Sequence, residues 1–208
     1  MVSRRRASRS GTRPPVVRIL GLDSRAWFTG LVALVGVERL VEMRISRRNA
    51  AWARAHGARE FGAGHYPTMV AMHTSLLAAA VAEVWILDRR PHRALAATSL
   101  VAVAATMGLR YWVIGTLGRR WNTRVLVLPE DQLVIAGPFR YVRHPNYVAV
   151  TVEVAALPLV HSAFLTSFAF SLANAALLRV RIGVEDEALH AQREQVRAVA
   201  PPREAAVG

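Results

Sequence analysis

The sequence predicts an all-α integral membrane protein of about five transmembrane helices, the last two forming a C-terminal helical hairpin. Three observations predict it. Hydrophobic residues make up 53% of the 208 residues while the formal net charge is +13, a pairing of apolar blocks with basic connectors that soluble domains rarely show. Four apolar blocks, at about 26–43, 67–87, 94–117 and 146–178, are separated by polar connectors. Pro158 lies inside the longest block, ahead of His161-Ser162, and proline disrupts a helix interior, so a hairpin turn is expected near 158–163.

Taken in order, residues 1–25 carry seven arginines with Ser, Gly and Pro14-Pro15, and read as a disordered basic tail. The run after Trp27 continues into Glu38, Arg39 and Glu42 without a small-residue cleavage site, which argues against a signal peptide. Those charges also make the first block the weakest membrane candidate. Residues 44–66 read as an interfacial helix followed by a glycine-rich turn at Gly57, Gly62 and Gly64. The second and third blocks each match the roughly 20 helical residues that a crossing needs. Segment 118–146 holds strand-like runs at 124–128 and 133–135 around Pro129-Glu130-Asp131, an irregular backbone that belongs outside lipid or against protein. The organisation expected is a tail (1–25), an N-terminal membrane region (26–115) and a C-terminal region carrying the chemistry (116–208).

A sequence pI near 11.6 would suit nucleic acid. The arginines, however, sit between apolar stretches, where anionic membrane lipids are the simpler partner. All 27 basic residues are arginine, and there is no cysteine. A disulfide framework, a thiolate metal site and a cysteine nucleophile are therefore excluded together.

The stretch with chemical content is Gly137-Pro-Phe-Arg-Tyr-Val-Arg-His-Pro-Asn-Tyr147. Gly137 and Pro138 make a tight bend, and Pro145 suits the first turn of a helix. Arg143 and His144 then stand at a helix entrance, where unpaired backbone N–H groups favour an anion. That anion is either a ligand carboxylate or a lipid phosphate. A second cluster, Arg181, Glu185, Asp186 and Glu187, follows the hairpin. Arg181 and Glu185 are four apart, on one helix face and able to pair. Such charges either carry chemistry or mark the water boundary.

Together the two clusters, joined by the hairpin, resemble the isoprenylcysteine carboxyl methyltransferase and phospholipid methyltransferase superfamily. Leu117-Gly118, Trp121-x-Thr123 and Leu133-Val134-x-x-Gly137 extend the likeness over about residues 115–190. The resemblance implies membrane-embedded methyl transfer from S-adenosylmethionine to a lipid-like acceptor, with no metal. It implies a cofactor site at Trp121, Gly137, Pro138, Tyr141, Arg143, His144, Pro145 and Tyr147, with Arg181 and Glu185 where cofactor and acceptor meet. Glu42, Ser46-Arg47-Arg48-Asn49 and Gly64-His65-Tyr66-Pro67 are similar to bacterial members found near type III polyketide synthases. The acceptors so implied are alkylresorcinols or alkylpyrones, methylated on oxygen, ahead of prenylcysteine carboxyl groups and phospholipid amines; a non-catalytic protein that keeps the fold is the alternative. A cell-membrane location follows, with the cofactor loop facing the cytosol. Eukaryotic members end in an aromatic-rich tail that helps cover the site, whereas this chain has His190-Ala-Gln-Arg-Glu-Gln-Val-Arg.

Methyl transfer needs donor and acceptor held in line and, for a hydroxyl acceptor, a proton removed. Arginine can pair bidentately with a cofactor carboxylate, aromatic faces can border the cationic sulfur, and Glu185 can serve as base or orienting group. Glu153 and Asn174 fall at membrane depth, where an ionisable group is costly and is by default a functional candidate. Either they contact substrate, or Glu153 pairs with Asn174, Arg110 or His73 to fix packing.

Overall fold

The computed structural model describes residues 17–19, 21–129 and 134–199, without the side chains of 18, 19 and 193–199. Five helices form the body: α1 (Ser24–Ala55), α2 (Tyr66–Ile86), α3 (Arg93–Leu117), α4 (Pro145–Leu159) and α5 (Phe164–Val199). Two small antiparallel ribbons accompany them, β1 (Arg18–Ile19) with β2 (Leu22–Asp23), and β3 (Arg59–Phe61) with β4 (Val125–Val127).

The expected tail is shorter in its described part than 1–25. Residues 1–16 lie outside the described residues, but the chain is already paired at Arg18 and enters α1 at Ser24, where Asp23 caps the helix by accepting from the Arg25 N–H at 2.9 Å. No break separates the first apolar block from an interfacial helix. α1 runs uninterrupted for 32 residues, about 48 Å at the usual helical rise. Its charges are accommodated because they point inward. Glu42 is buried among other helices, while Leu34, Val37, Leu40 and Val41 on the opposite side are exposed. Up to Glu42 the helix is therefore apolar outside and charged inside, as a lipid environment demands, whereas Arg44, Arg47 and Arg48 beyond it are exposed.

α2 and α3 match their apolar blocks to within a residue or two, and Pro67 and Pro145 sit in the first turns of α2 and α4, where no N–H is needed. The hairpin forms where Pro158 placed it. α4 ends at Leu159, Ser162 takes a left-handed backbone (φ 57°), and the Ala163 N–H donates to the Pro158 carbonyl at 3.0 Å. Only α2 (from Ala63), α3 (to Arg120) and α5 (to Gln192) are, among the described residues, both long and apolar enough to cross a bilayer. The other two expected spans differ for separate reasons. α4, at 15 residues, is shorter than the roughly 20 a crossing requires, and α1 carries too many charges to qualify on composition.

Helix direction sorts the molecule into two ends. α1, α3 and the α4–α5 turn meet at the hairpin end, where Phe28, Val32, Ala80, Val84, Val103 and Leu157 form the close-packed core. At the opposite, loop end the apolar packing thins, and the segments around 44–66, 118–144 and the end of α5 come together there. Of the two strand-like runs expected in this loop, the first is β4. In the second, Leu133 lies outside the described residues, and Val134 and Ile135 form no strand.

Candidate active site

The loop end is held by one turn of α1. The Ser46 hydroxyl is 2.9 Å from Asn122 Oδ1 and 2.8 Å from Thr123 Oγ1, and it accepts from the Thr123 N–H at 3.0 Å. Asn49, three residues on and so on the same face, donates to the carbonyls of Gly118 (3.1 Å) and Trp121 (2.7 Å). The Ser-x-x-Asn spacing thus fixes Trp121-Asn122-Thr123 over the bundle. β4 continues from this loop and pairs with β3, Glu60 opposite Leu126. Glu60 accepts from Arg54 (2.7 Å) and Arg124 (2.5 Å). Burial alone would raise its carboxyl, but these two hydrogen bonds outweigh it and hold the group below its usual range. Where the aromatic tail of eukaryotic members would follow, Gln192 on α5 donates to the Leu128 carbonyl at 2.6 Å and ties α5 to the end of β4.

The second wall is the start of α4. Gly137 adopts φ 57°, and a Cβ there would collide with the Thr116 side chain, so glycine is needed on both counts. Pro138 is buried in the short 3-10 turn that follows. His144 is the N-cap residue of α4, its ring stacked on Tyr147 with centroids 5.3 Å apart. Its two nitrogens face Glu185 (3.9 Å) and Asp186 (3.8 Å). Arg143 is largely exposed and pairs with Asp186 at 2.9 Å.

At the centre stands Tyr147. Its hydroxyl donates to Glu185 and accepts from Arg181 Nε at 3.0 Å. The association expected from helical spacing between Arg181 and Glu185 thus runs through the Tyr147 oxygen. Arg181, itself buried, also donates to the Thr123 carbonyl at 2.6 Å and lies 3.1 Å from Met69 Sδ. Three separate elements, α2, the Thr123 loop and α4, converge on one guanidinium.

Two cavities flank this centre. The smaller, about 150 Å³, is polar and lies between β4, the start of α4 and the end of α5, with Arg120, Asn122, Arg124, Phe139, His144 and Glu185 on its walls. The larger, about 430 Å³, is mainly apolar and lies between α1, α2 and α5, a size ordinary for a small-molecule site. Trp121, Asn146, Tyr147 and Arg181 line both. Two atoms of this shared wall, Trp121 Nε1 and Asn146 Oδ1, are buried without a hydrogen-bond partner. Orphaned buried polar atoms are costly and call for an occupant.

Of the residues expected from sequence, Trp121, Arg143, His144, Pro145, Tyr147, Arg181 and Glu185 line the polar cavity, and Asn174 lines the apolar one. Gly137 and Pro138 line neither and shape the backbone behind the site. Tyr141 is 75% exposed and packs on Trp112 at the outer surface. Glu153 also lines neither cavity. It accepts from Arg39 (2.9 Å) and Arg110 (2.6 Å), and with Glu42 these form a buried charge cluster joining α1, α3 and α4. Sequence reasoning passed over Asn146, although a polar residue between Pro145 and Tyr147 was a usable signal, and over Arg120, Asn122, Met69 and the cavity-facing position of His73. Arg120 and Asn122 flank Trp121, which was their signal; nothing in the local pattern marks Met69 and His73, because their positions depend on α1 and α2 packing against α5.

The isoprenylcysteine carboxyl methyltransferase family matches residues 97–191. An uncharacterized protein, YpbQ, of Bacillus subtilis (strain 168) is 38% identical over 159 residues, covering 76% of this chain and 94% of its own length. An uncharacterized protein of Haemophilus influenzae is 27% identical over 155 residues, covering 73% and 88%. No solved structure matches the chain. Every residue of the polar cavity falls within the matched segment, whereas the α1 and α2 walls of the apolar cavity lie before it.

Proposed function

Because the chain belongs to the isoprenylcysteine carboxyl methyltransferase family, we propose that it transfers a methyl group from S-adenosylmethionine, held in the polar cavity, to a lipid-like acceptor held in the apolar one. The observation that carries this reading is the shared wall. Two cavities of opposite character meet at Trp121, Asn146, Tyr147 and Arg181, which is the arrangement that bringing a polar donor and an apolar acceptor together requires.

The donor set suits the charged and aromatic-binding groups of the cofactor, and the cavity, at about 150 Å³, takes part of that molecule. Arg120, Arg124 and Arg143 suit a carboxylate, Glu185 suits an ammonium group, and Trp121, Phe139 and Tyr147 offer aromatic faces to a nucleobase or a cation. The orphaned Trp121 Nε1 and Asn146 Oδ1 add one donor and one acceptor. When bound, the cofactor supplies an already activated methyl group on a sulfonium. The protein then has to orient the acceptor, exclude water and accept a proton. Arg181 steadies the Thr123 carbonyl and the Tyr147 oxygen. Glu185 lines only the polar cavity, so its route to an acceptor hydroxyl is the Tyr147 hydroxyl, which already donates to it. Tyr147 passes its proton to Glu185 as it takes one from the acceptor, a general-base role shared by two side chains. A phenolic or enolic acceptor of the alkylresorcinol or alkylpyrone type suits this relay. The protein sits in the cell membrane with its loop end toward the cytosol, where the cofactor is made.

The test is methyl transfer by the purified protein in detergent, from cofactor with a labelled methyl group to an alkylresorcinol, together with calorimetric titration of S-adenosylhomocysteine. Label in the extracted lipid and a saturable heat are expected. Absence of both would overturn the reading.

A further inference from the structure

The polar contents of the apolar cavity are unequal. Arg39, Glu42 and Arg110 reach its wall, but they are engaged with one another and with Glu153. Thr74 donates to the Val70 carbonyl. His73 and Asn174 differ. His73 Nδ1 lies 2.8 Å from the Met69 carbonyl; a carbonyl only accepts, so Nδ1 carries the proton and Nε2 of the neutral ring is an acceptor. Among the described residues Nε2 has no hydrogen-bond partner. Asn174 on α5 lines the same cavity, is 1% exposed, and has its Oδ1 buried without a partner. Both stand deeper than the shared wall. His73 is one turn along α2 from Met69, whose sulfur touches Arg181, a separation of about 5.4 Å.

Beyond Tyr147 and Arg181 at the shared wall, the cavity thus holds two deeper polar groups, His73 one helical turn from Met69 on α2 and Asn174 two turns before Arg181 on α5. Resting on the methyl-transfer reading, we propose that His73 selects the acceptor, its Nε2 receiving a hydrogen bond from a second hydroxyl on the acceptor's head while the first hydroxyl meets Tyr147. The preferred acceptor is an amphiphile with two neutral hydroxyl groups on a small head and an apolar tail. A head with one hydroxyl leaves Nε2 unpaired in an apolar surrounding, and sites built to bond a hydroxyl reject analogues that lack it. The position of His73 outside residues 97–191 agrees with this. Family chemistry resides in the matched segment, and choice of acceptor resides in the helices before it.

The experiment compares a 5-alkylresorcinol with the 3-alkylphenol of equal chain length, by equilibrium binding to the full-length protein in detergent and by methyl transfer. Wild-type protein should bind the resorcinol at least about 10-fold more tightly, as for one hydrogen bond of roughly 1.4 kcal/mol. His73→Phe, which fills the space without an acceptor, should reduce that ratio to near one without changing S-adenosylhomocysteine affinity. His73→Gln, whose amide oxygen reaches the place of Nε2, should restore part of it. Equal binding of the two lipids by wild type, or an undiminished ratio in His73→Phe, overturns the proposal. Selective binding without any methyl transfer would leave it standing while removing the reading it rests on; transfer without selectivity would do the reverse.

Discussion

Tyr147→Phe removes one oxygen and little else, and that oxygen joins Arg181 to Glu185. The ring keeps its stack on His144, and Arg181 keeps its bond to the Thr123 carbonyl. Two hydrogen bonds to charged groups are lost, each worth roughly 1.5–3 kcal/mol. The polar cavity beside Glu185 can rehydrate that carboxylate, so the stability loss should fall near the lower end, about 3 kcal/mol. Turnover should fall much further. If Tyr147 and Glu185 act as one relay, each single variant, Tyr147→Phe or Glu185→Gln, should lower kcat by roughly 100-fold to 10,000-fold, the range of general-base catalysis. The double variant should be no worse than the poorer single one, because the second substitution removes a step already broken. The assay is a double-mutant cycle on kcat with an alkylresorcinol acceptor, with S-adenosylhomocysteine affinity measured alongside to separate chemistry from binding. Multiplying effects would refute the relay and assign the two residues independent roles. Near-normal turnover in Tyr147→Phe with collapse in Glu185→Gln would place Glu185 against the acceptor directly.

Two further expectations concern the scaffold. Replacing Ser46 and Asn49 together by alanine releases the loop that carries Trp121 and Thr123, and should weaken S-adenosylhomocysteine binding by about 10-fold or more in calorimetric titration, at roughly 1 kcal/mol per lost hydrogen bond, while leaving helix content by circular dichroism unchanged. Arg110→Met leaves Glu42 and Glu153 with one cation fewer in a buried cluster, and should cost about 3–5 kcal/mol, read as a lowered Tm; Glu153→Gln paired with Arg110→Met should recover part of that loss.

The parts of the fold legible in the sequence were those governed by local pattern. Apolar block length set α2 and α3, Pro158 set the hairpin, and Pro145 set the start of α4, each through a constraint acting within a few residues. α1 was harder because Glu38, Arg39 and Glu42 interrupt its hydropathy; only Arg110 and Glu153, about 70 and 110 residues away, explain how one helix can carry them. The polar side of the candidate site follows from a contiguous motif, so His144, Tyr147, Arg181 and Glu185 were identifiable. The mediation of Arg181 and Glu185 by Tyr147 was not, since it needs the angle between α4 and α5. Glu153 was a fair candidate by depth, and its packing alternative named Arg110, one of the two partners found, while Arg39 was not among those expected. The apolar cavity has no sequence signature, being the space left where α1 and α2 approach α5.

The inverted polarity of α1 bears on how the protein is made. A charged residue at the centre of an isolated membrane helix costs roughly 2.5–3.5 kcal/mol to insert, and α1 emerges from the ribosome with only the pairs that Arg39 makes with Glu38 and Glu42 to offset its charges. Arg110 follows on α3, and Glu153 only on α4. α1 alone therefore carries one carboxylate more than it has cations among Glu38, Arg39 and Glu42, and its seating in the bilayer is favoured once Arg110 on α3 is present. The order of synthesis and the order of stable seating consequently need not coincide for this first helix.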